Sequence, residues 1–333
     1  MSLSPGLSLV TGATGFVGSA VARALVGIGH DVRVLARPNS DRRNLGDLSV
    51  EVAEGSLEDA PSLVRALADC RYLFHVAADY RLWVTDPTPM FRTNVEGTRI
   101  LMRAALDAGI ERVVYTSSVA TLGLVPQGSA DEQTPSNVED MIGPYKRSKY
   151  QAEEVVRGLI SRRALPAVIV NPSTPVGPRD RRPTPTGRLI LEAARGHMPG
   201  YVETGLNIVH VDDVAAGHLA AAELGRVGEC YILGGENLPL AKILAEVAQA
   251  VGIRPPRIRV PYSMAYPAAI GAELIARLSG KEPFITLDGV RMARKKMYFT
   301  SEKASRELGY APRPARNAIA DAIGWFKASG YLR

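Results

Sequence analysis

Two short segments, far apart in this 333-residue chain, carry side chains whose types and spacing suit one chemistry. The first, Thr11-Gly-Ala-Thr-Gly-Phe-Val-Gly18, has glycines at Gly12, Gly15 and Gly18. Glycines let a backbone turn tightly and approach a pyrophosphate, and a helix opening just after them offers free N–H groups and a positive dipole. Gly12, Thr14, Gly15, Phe16 and Val17 are the expected dinucleotide ligands of this turn. The second, Tyr145-Lys-Arg-Ser-Lys149, puts a phenol and an ammonium one helical turn apart on one face. Hydride transfer to a carbonyl needs a proton donor at the oxygen and a group that polarises it. A free phenol, with a pKa of about 10, is poorly matched to neutral pH. A nearby ammonium and a positive nicotinamide lower it. Tyr145 is therefore the expected acid/base, with Lys149 as its tuner and ribose ligand. Ser118, from the hydroxyl cluster Tyr115-Thr-Ser-Ser118, is expected to orient and polarise the substrate oxygen. The same serine also suits a plain strand-end turn. Together the two segments imply pyridine-nucleotide redox chemistry, which neither implies alone.

The elements that must position these groups alternate in type. Strands are expected at Ser8–Val10, Val32–Leu35, Val50–Ala53, Tyr72–Val76, Val113–Tyr115 and Ala167–Val170. Helices are expected over Phe16–Val26, Thr93–Ala108 and Pro144–Leu159. That alternation predicts an α/β fold: a doubly wound parallel sheet of Rossmann type, with ligands beyond the carboxyl ends of the strands. A smaller, mainly C-terminal substrate lobe completes it. The expected division is residues 1–172 for the dinucleotide domain, with 207–235 returning to it, and 173–206 plus 236–333 for the lobe. The Pro- and Arg-rich stretch Asn171–Arg188 marks the crossing.

The second strand sets the choice of cofactor. Enzymes that use NAD tend to hold the ribose 2′-hydroxyl with a carboxylate there. This chain has Val34-Leu-Ala-Arg37 and then Asp41-Arg-Arg43. Arg37 suits the adenine and a 2′-phosphate, with Arg42 or Arg43 as a second ligand, so NADP is the expected cofactor and NAD the alternative. Solvated loop arginines are the plain reading.

Composition narrows the class. The formal charge is +6 and 46% of residues are hydrophobic, which fits solubility plus an anionic cofactor rather than nucleic-acid binding. Cys70 and Cys230 neither build a disulfide framework nor show metal-ligand spacing, so no metal site is expected and a reducing cytoplasm is the natural compartment. No apolar run reaches the roughly 18 residues of a membrane span.

At this point the chain resembles the extended short-chain dehydrogenase/reductases over nearly its whole length. The matching motifs include Thr11–Gly18, His75-Val-Ala-Ala78, Asn94-Val-Glu-Gly-Thr98, Tyr115–Ser118, Tyr145–Lys149, Asn171-Pro-Ser173 and His210-Val-Asp-Asp213. His75–Trp83 and Asn171–Pro178 are similar, more closely, to the bacterial hopanoid-associated sugar epimerases; the carboxyl-terminal region is similar to dihydroflavonol reductases and 3β-hydroxysteroid dehydrogenases. The resemblance implies that Ala77 and Ala78 line the cofactor, that Pro172–Thr174 contact the nicotinamide end, and that Ser56 and Leu57 stand near the adenine. It implies a structural role for His210, Asp212 and Asp213 between the lobes. Leu206 occupies the position where nucleotide-sugar epimerases usually carry an arginine for the substrate diphosphate. Arg179, Arg181, Arg182 and Arg188 are the rival source of charge, or a solvated rim.

Val119 and Ala120 replace the acidic pair of related sugar dehydratases, which speaks against dehydration. What remains is epimerisation through a transient keto sugar, or net reduction and oxidation of a ketone/alcohol pair. A non-catalytic dinucleotide sensor is the rival class, but such sensors commonly lose the tyrosine or lysine that this chain keeps. The expected partner is a small sugar or ketone, lipid-linked in one reading; the oligomeric state stays open, with a homodimer among the options. Tyr80, Trp83 and Met90 stand at the expected mouth, to line a hydrophobic pocket or to pack the loop. Pro261–Leu278 reads first as a core helix. Its sharper reading is a peripheral membrane contact, because Lys281, Arg291, Arg294, Lys295 and Lys296 follow it and the resembled family is tied to a lipid pathway.

Overall fold

The computed structural model describes residues 3–279, Pro283 and 285–332; Lys281 lies outside them. The first half alternates β1 (Leu7–Thr11), α1 (Phe16–Gly27), β2 (Val32–Ala36), β3 (Glu51–Glu54), α2 (Ala60–Leu67), β4 (Cys70–His75), α3 (Thr88–Phe91), α4 (Gly97–Asp107), β5 (Arg112–Thr116), α5 (Gly143–Arg163) and β6 (Ala167–Pro172). The second half adds β7 (Thr174–Val176), α6 (Pro185–Ala194), β8 (Gly200–Tyr201), β9 (Gly205–His210), α7 (Val211–Leu224), β10 (Cys230–Leu233), β11 (Glu236–Pro239), α8 (Leu240–Val251) and β12 (Ile258–Arg259). It closes with α9 (Tyr262–Ser279), α10 (Leu287–Ala293), α11 (Glu302–Leu308) and α12 (Ala315–Ala328).

Seven strands form the central sheet in the order β10-β6-β5-β4-β1-β2-β3, with every neighbouring pair parallel. Such a sheet is buried on both faces, so its strands run almost continuously apolar. Alternate residues feed opposite layers. Val10, Phe74 and Val170 pack with α1 and α7 on one face, while Leu9, Leu73 and Ile169 pack with α4 and α5 on the other. The strand order reverses between β1 and β4. There Thr11 and His75, the last residues of the two strands, bond through Thr11 Oγ1 and His75 Nδ1 at 2.8 Å. The expected crevice lies at that switch point.

A second core holds the lobe. The three-stranded sheet β11-β9-β7 packs Ile208 and Leu238 against Ile243 of α8, Ile190 of α6 and Phe326 of α12. The structure differs from the expected division in two places. β9 pairs within this small sheet rather than in the central one. α11 returns to the first domain, where Ala304 and Leu308 join the core beneath α1 and α7.

The helix expected over Thr93–Ala108 is interrupted: Arg92–Glu96 form a π-turn between α3 and α4. Met90, expected at the mouth, is fully buried in α3, so it packs the fold and touches no solvent. Cys70 and Cys230 are both free and buried.

Candidate active site

The dinucleotide turn is built by close approach. Gly12 has φ +74°, in the left-handed region, and a Cβ there would stand 2.7 Å from the Ala77 backbone. A Cβ on Gly18 would meet the Gly12 carbonyl oxygen at 2.2 Å, so only glycine lets α1 press onto the turn. Gly15 is the N-cap of α1, and no side chain caps that end or places an acid in its first turn. The N–H groups of Phe16 and Val17 thus face a ligand position with the helix dipole behind them. Ala77 N–H donates to Thr11 Oγ1 at 3.2 Å, which brings Ala77 and Ala78 alongside the turn. Ser56 Oγ accepts from Glu58 N–H, Leu57 is buried, and both follow β3. At the other end Pro172 closes β6 and Thr174 opens β7. Between them the Ser173 hydroxyl is buried with no hydrogen-bond partner among the described residues. An orphan hydroxyl there, a cradle that a Cβ would fill and an uncapped helix fit an extended phosphate-bearing cofactor.

Arg37 ends exposed just past β2, and no ion pair engages it among the described residues. Arg42 pairs with Glu54 at 2.5 Å and Arg43 with Asp41 at 2.6 Å. Both pairs are surface-exposed and exchange at small cost.

Ser118, Tyr145 and Lys149, the expected catalytic residues, converge on the carboxyl end of β5. Ser118 Oγ accepts from Ala120 N–H at 3.1 Å, so the strand-end turn is present. The same hydroxyl lies near the Tyr145 phenol; burial raises the pKa of that phenol and the nearby Ser118 hydroxyl lowers it in part. Lys149 Nζ donates to Thr116 O at 2.8 Å and to Tyr115 Oη at 3.2 Å, over the Tyr115 ring. Burial pushes the ammonium down to about 8, while Glu153 acts to raise it. Lys149 stands one helical turn from Tyr145, as the spacing predicts, and is anchored on β5.

Sequence reasoning missed the groups behind these residues. Asn94, in the π-turn, donates to Asp79 O and Ser148 Oγ, both at 2.9 Å, and Ser148 Oγ donates to Tyr145 O. A π-turn often marks a functional position, and this one ties the loop after β4 to the start of α5. Buried Glu153 accepts from Thr121 Oγ1 at 2.9 Å, from Ser117 Oγ and from Arg157 at 2.7 Å. Its spacing of four from Lys149 was the available signal. His75 is driven down to about 3, first by burial and then by Lys149, and stays neutral between Thr11 and Thr98.

The arginines after β7 are largely committed. Arg179 pairs with Asp212 at 2.5 Å; Arg181 donates to Asn44 Oδ1 at 3.1 Å and lies over Trp325. Arg182 is exposed. His210, at the end of β9, meets Asp321 of α12 at 3.1 Å within the lobe, while Asp213 of α7 holds Arg313, just ahead of α12, at 2.7 Å. Leu206 packs on the lobe core.

A cavity of about 210 Å³ is walled by Ala120, Leu122, Leu124, Met141, Ile142, Met292 and Met297. Lys146, Lys295 and Asp140 are its charged groups. A more open cavity of about 640 Å³ shares Ile142 and Lys295 with it and is lined also by Tyr262, Tyr266, Arg291 and Arg294.

The NAD dependent epimerase/dehydratase family model matches residues 8–234. A Synechocystis protein with the provisional name dihydroflavonol 4-reductase is 44% identical, over 97% of this chain and 95% of its own. Sterol demethylase protein B of Methylococcus capsulatus is 36% identical, over 98% and 99%. The crystal structure of gox2253 superposes with a TM-score of 0.89 at 56% identity, covering 98% of this chain and all of that one. With its glycine turn, parallel sheet and tyrosine–lysine helix, the chain belongs to the NAD-dependent epimerase/dehydratase family of extended short-chain dehydrogenase/reductases.

Proposed function

We propose that this protein is an NADP(H)-dependent ketone reductase that interconverts a carbonyl and an alcohol on a largely apolar substrate. The observation that supports this reading is the cavity next to Ala120 and Lys146, the chain neighbours of Ser118 and Tyr145, whose walls join leucine, isoleucine and methionine to the charged Lys146, Lys295 and Asp140. Leu206 offers a diphosphate no charge, and Arg179 and Arg181 are already bonded to Asp212 and Asn44. Lys146 and Lys295, the cations of the cavity, suit an acidic group at the far end of such a substrate; burial and Lys295 push Lys146 down to about 8.

Gly12 to Val17 would hold the pyrophosphate, Arg37 the 2′-phosphate, and Pro172 to Thr174 the nicotinamide end; the bound cofactor supplies or accepts the hydride. Ser118 and Tyr145 hold the carbonyl oxygen between two hydroxyls. As that oxygen gains electron density, the Tyr145 phenol gives it a proton and the alcohol forms. Lys149 keeps a positive charge near the resulting phenolate. In oxidation the same proton returns to Tyr145.

Sugar epimerisation is the second reading, favoured by the motifs His75–Trp83 and Asn171–Pro178, which resemble those of hopanoid-associated sugar epimerases. The test is to incubate the protein with NADPH and a panel of apolar ketones, 3-oxo acids and UDP-sugars. Stoichiometric NADPH oxidation with a ketone supports reduction. Isomerised sugar without net cofactor turnover overturns it in favour of epimerisation.

A further inference from the structure

Helix α9 leaves an unpartnered apolar face. Met264, Ile270, Leu274, Ile275 and Leu278 are between 42 and 91% exposed, whereas Ala265, Ala269 and Ala276 are buried. At about 100° per residue the five exposed side chains fall within an arc of roughly 140°, and the three alanines within a narrow opposite stripe. The helix therefore seats itself on α10 and its neighbours through alanine and turns its largest side chains to solvent. The residues between them on that arc are Ser263, Pro267 and Gly271, and none carries charge. The expectation of a core helix over Pro261–Leu278 fails because the small residues, not the large ones, form the buried stripe.

Charge gathers around that face. Residues 254–296 hold nine Lys and Arg against three Asp and Glu, a surplus of six that equals the formal charge of the whole chain. The remaining 290 residues are neutral on balance. Arg277 borders the apolar arc, Arg294 lies over the Tyr262 ring at 4.9 Å, and Lys295 and Lys296 are exposed beside it. No helix among the described residues is long and apolar enough to cross a membrane.

We infer that α9 docks in the plane of an anionic lipid surface, with its apolar face in the acyl boundary and the surrounding Lys and Arg on the headgroups. A helix with an exposed apolar face and basic flanks has the composition for this, and each juxtamembrane cation adds attraction to anionic lipid. The rival occupant is a second copy of the chain. Self-association through this face brings two surpluses of six positive charges together, which like-charge repulsion opposes.

The test is flotation of the full-length protein with vesicles of pure phosphatidylcholine and of phosphatidylcholine with 30% phosphatidylglycerol. The expected result is at least tenfold more bound protein on the anionic vesicles, reduced severalfold by 0.5 M salt. Leu274→Glu with Leu278→Glu should lose at least tenfold of that binding without lowering Tm or dinucleotide affinity. Arg277→Glu with Lys296→Glu should weaken it severalfold and leave Tm unchanged. Equal binding to both vesicle types, or none to either, overturns the inference. So does a dimer in sedimentation that Leu274→Glu and Leu278→Glu dissociate while vesicle binding is absent.

Discussion

Replacing Glu153 with glutamine should change the pH at which the protein releases its cofactor. The carboxylate is almost wholly buried, with its side chain 6% exposed, and lies one helical turn beyond Lys149. Side chains four apart on a helix sit about 5–6 Å apart at Cβ. Two unit charges at about 6 Å and an effective dielectric near 20 interact by about 2.8 kcal/mol. That corresponds to roughly two pH units at most. The amide keeps an acceptor for Ser117 and Thr121 but turns a donor toward Arg157, so about 1–3 kcal/mol of stability should go as well. The Lys149 ammonium is present below about pH 8 and lost above it. Wild-type affinity for NADPH, measured by fluorescence titration from pH 6 to 9.5, should therefore fall as pH rises through about 8. In the variant the fall should begin one to two pH units lower. A folded Glu153→Gln protein that loses affinity at the wild-type pH would refute the coupling and leave Glu153 a purely structural acceptor.

Three further outcomes are expected. Tyr145→Phe should abolish turnover with cofactor binding nearly intact, whereas Lys149→Met should damage both; a Tyr145→Phe protein that keeps most of its kcat assigns the proton to another residue. NADPH should bind at least tenfold more tightly than NADH, on the order of 1.5–3 kcal/mol for one charge-assisted pair, and Arg37→Ser should erase the difference. Equal affinities in wild type would remove Arg37 from the site. His218, held neutral between Thr116 Oγ1 and Val214 O, is pushed down to about 4 by burial. Its folded pKa is depressed, so the unfolded chain takes up protons first and stability falls with pH below about 6.5. His218→Gln should therefore lose about 1 kcal/mol less than wild type between pH 7.5 and 5.5 in urea unfolding; an identical loss would exclude His218 as the source.

Six of the seven central strands were legible because they are short β-branched runs between turn signals, and the strand at Ser8–Val10 needs no tertiary context to be read; β10 (Cys230–Leu233), at the sheet edge, was not expected. Gly12 and Gly18 were legible for a similar reason: a strand, a glycine turn and a helix follow one another in the chain. What escaped was set by partners distant in sequence. The bonds that anchor Lys149 are to Tyr115 and Thr116, more than thirty residues away. Arg179 and Arg181 read as free charges because Asp212 and Asn44 meet them only in three dimensions. The π-turn at Asn94 is invisible to a 3.6-residue period. In α9 apolar residues occur all round the helix, so periodicity could not say which side was covered.

The state of the two cysteines has a practical use. Burial pushes the Cys70 thiol up to about 11 and the Cys230 thiol up to about 12. At pH 7 the thiolate fraction of each is then about one in ten thousand or less, and maleimides react with thiolates. The native chain is thus a chemically silent background for labelling. A single engineered thiol, such as Ile275→Cys on the exposed side of α9, could carry a polarity-sensitive dye with no need to remove Cys70 or Cys230, and its emission would report the surroundings of that helix alone.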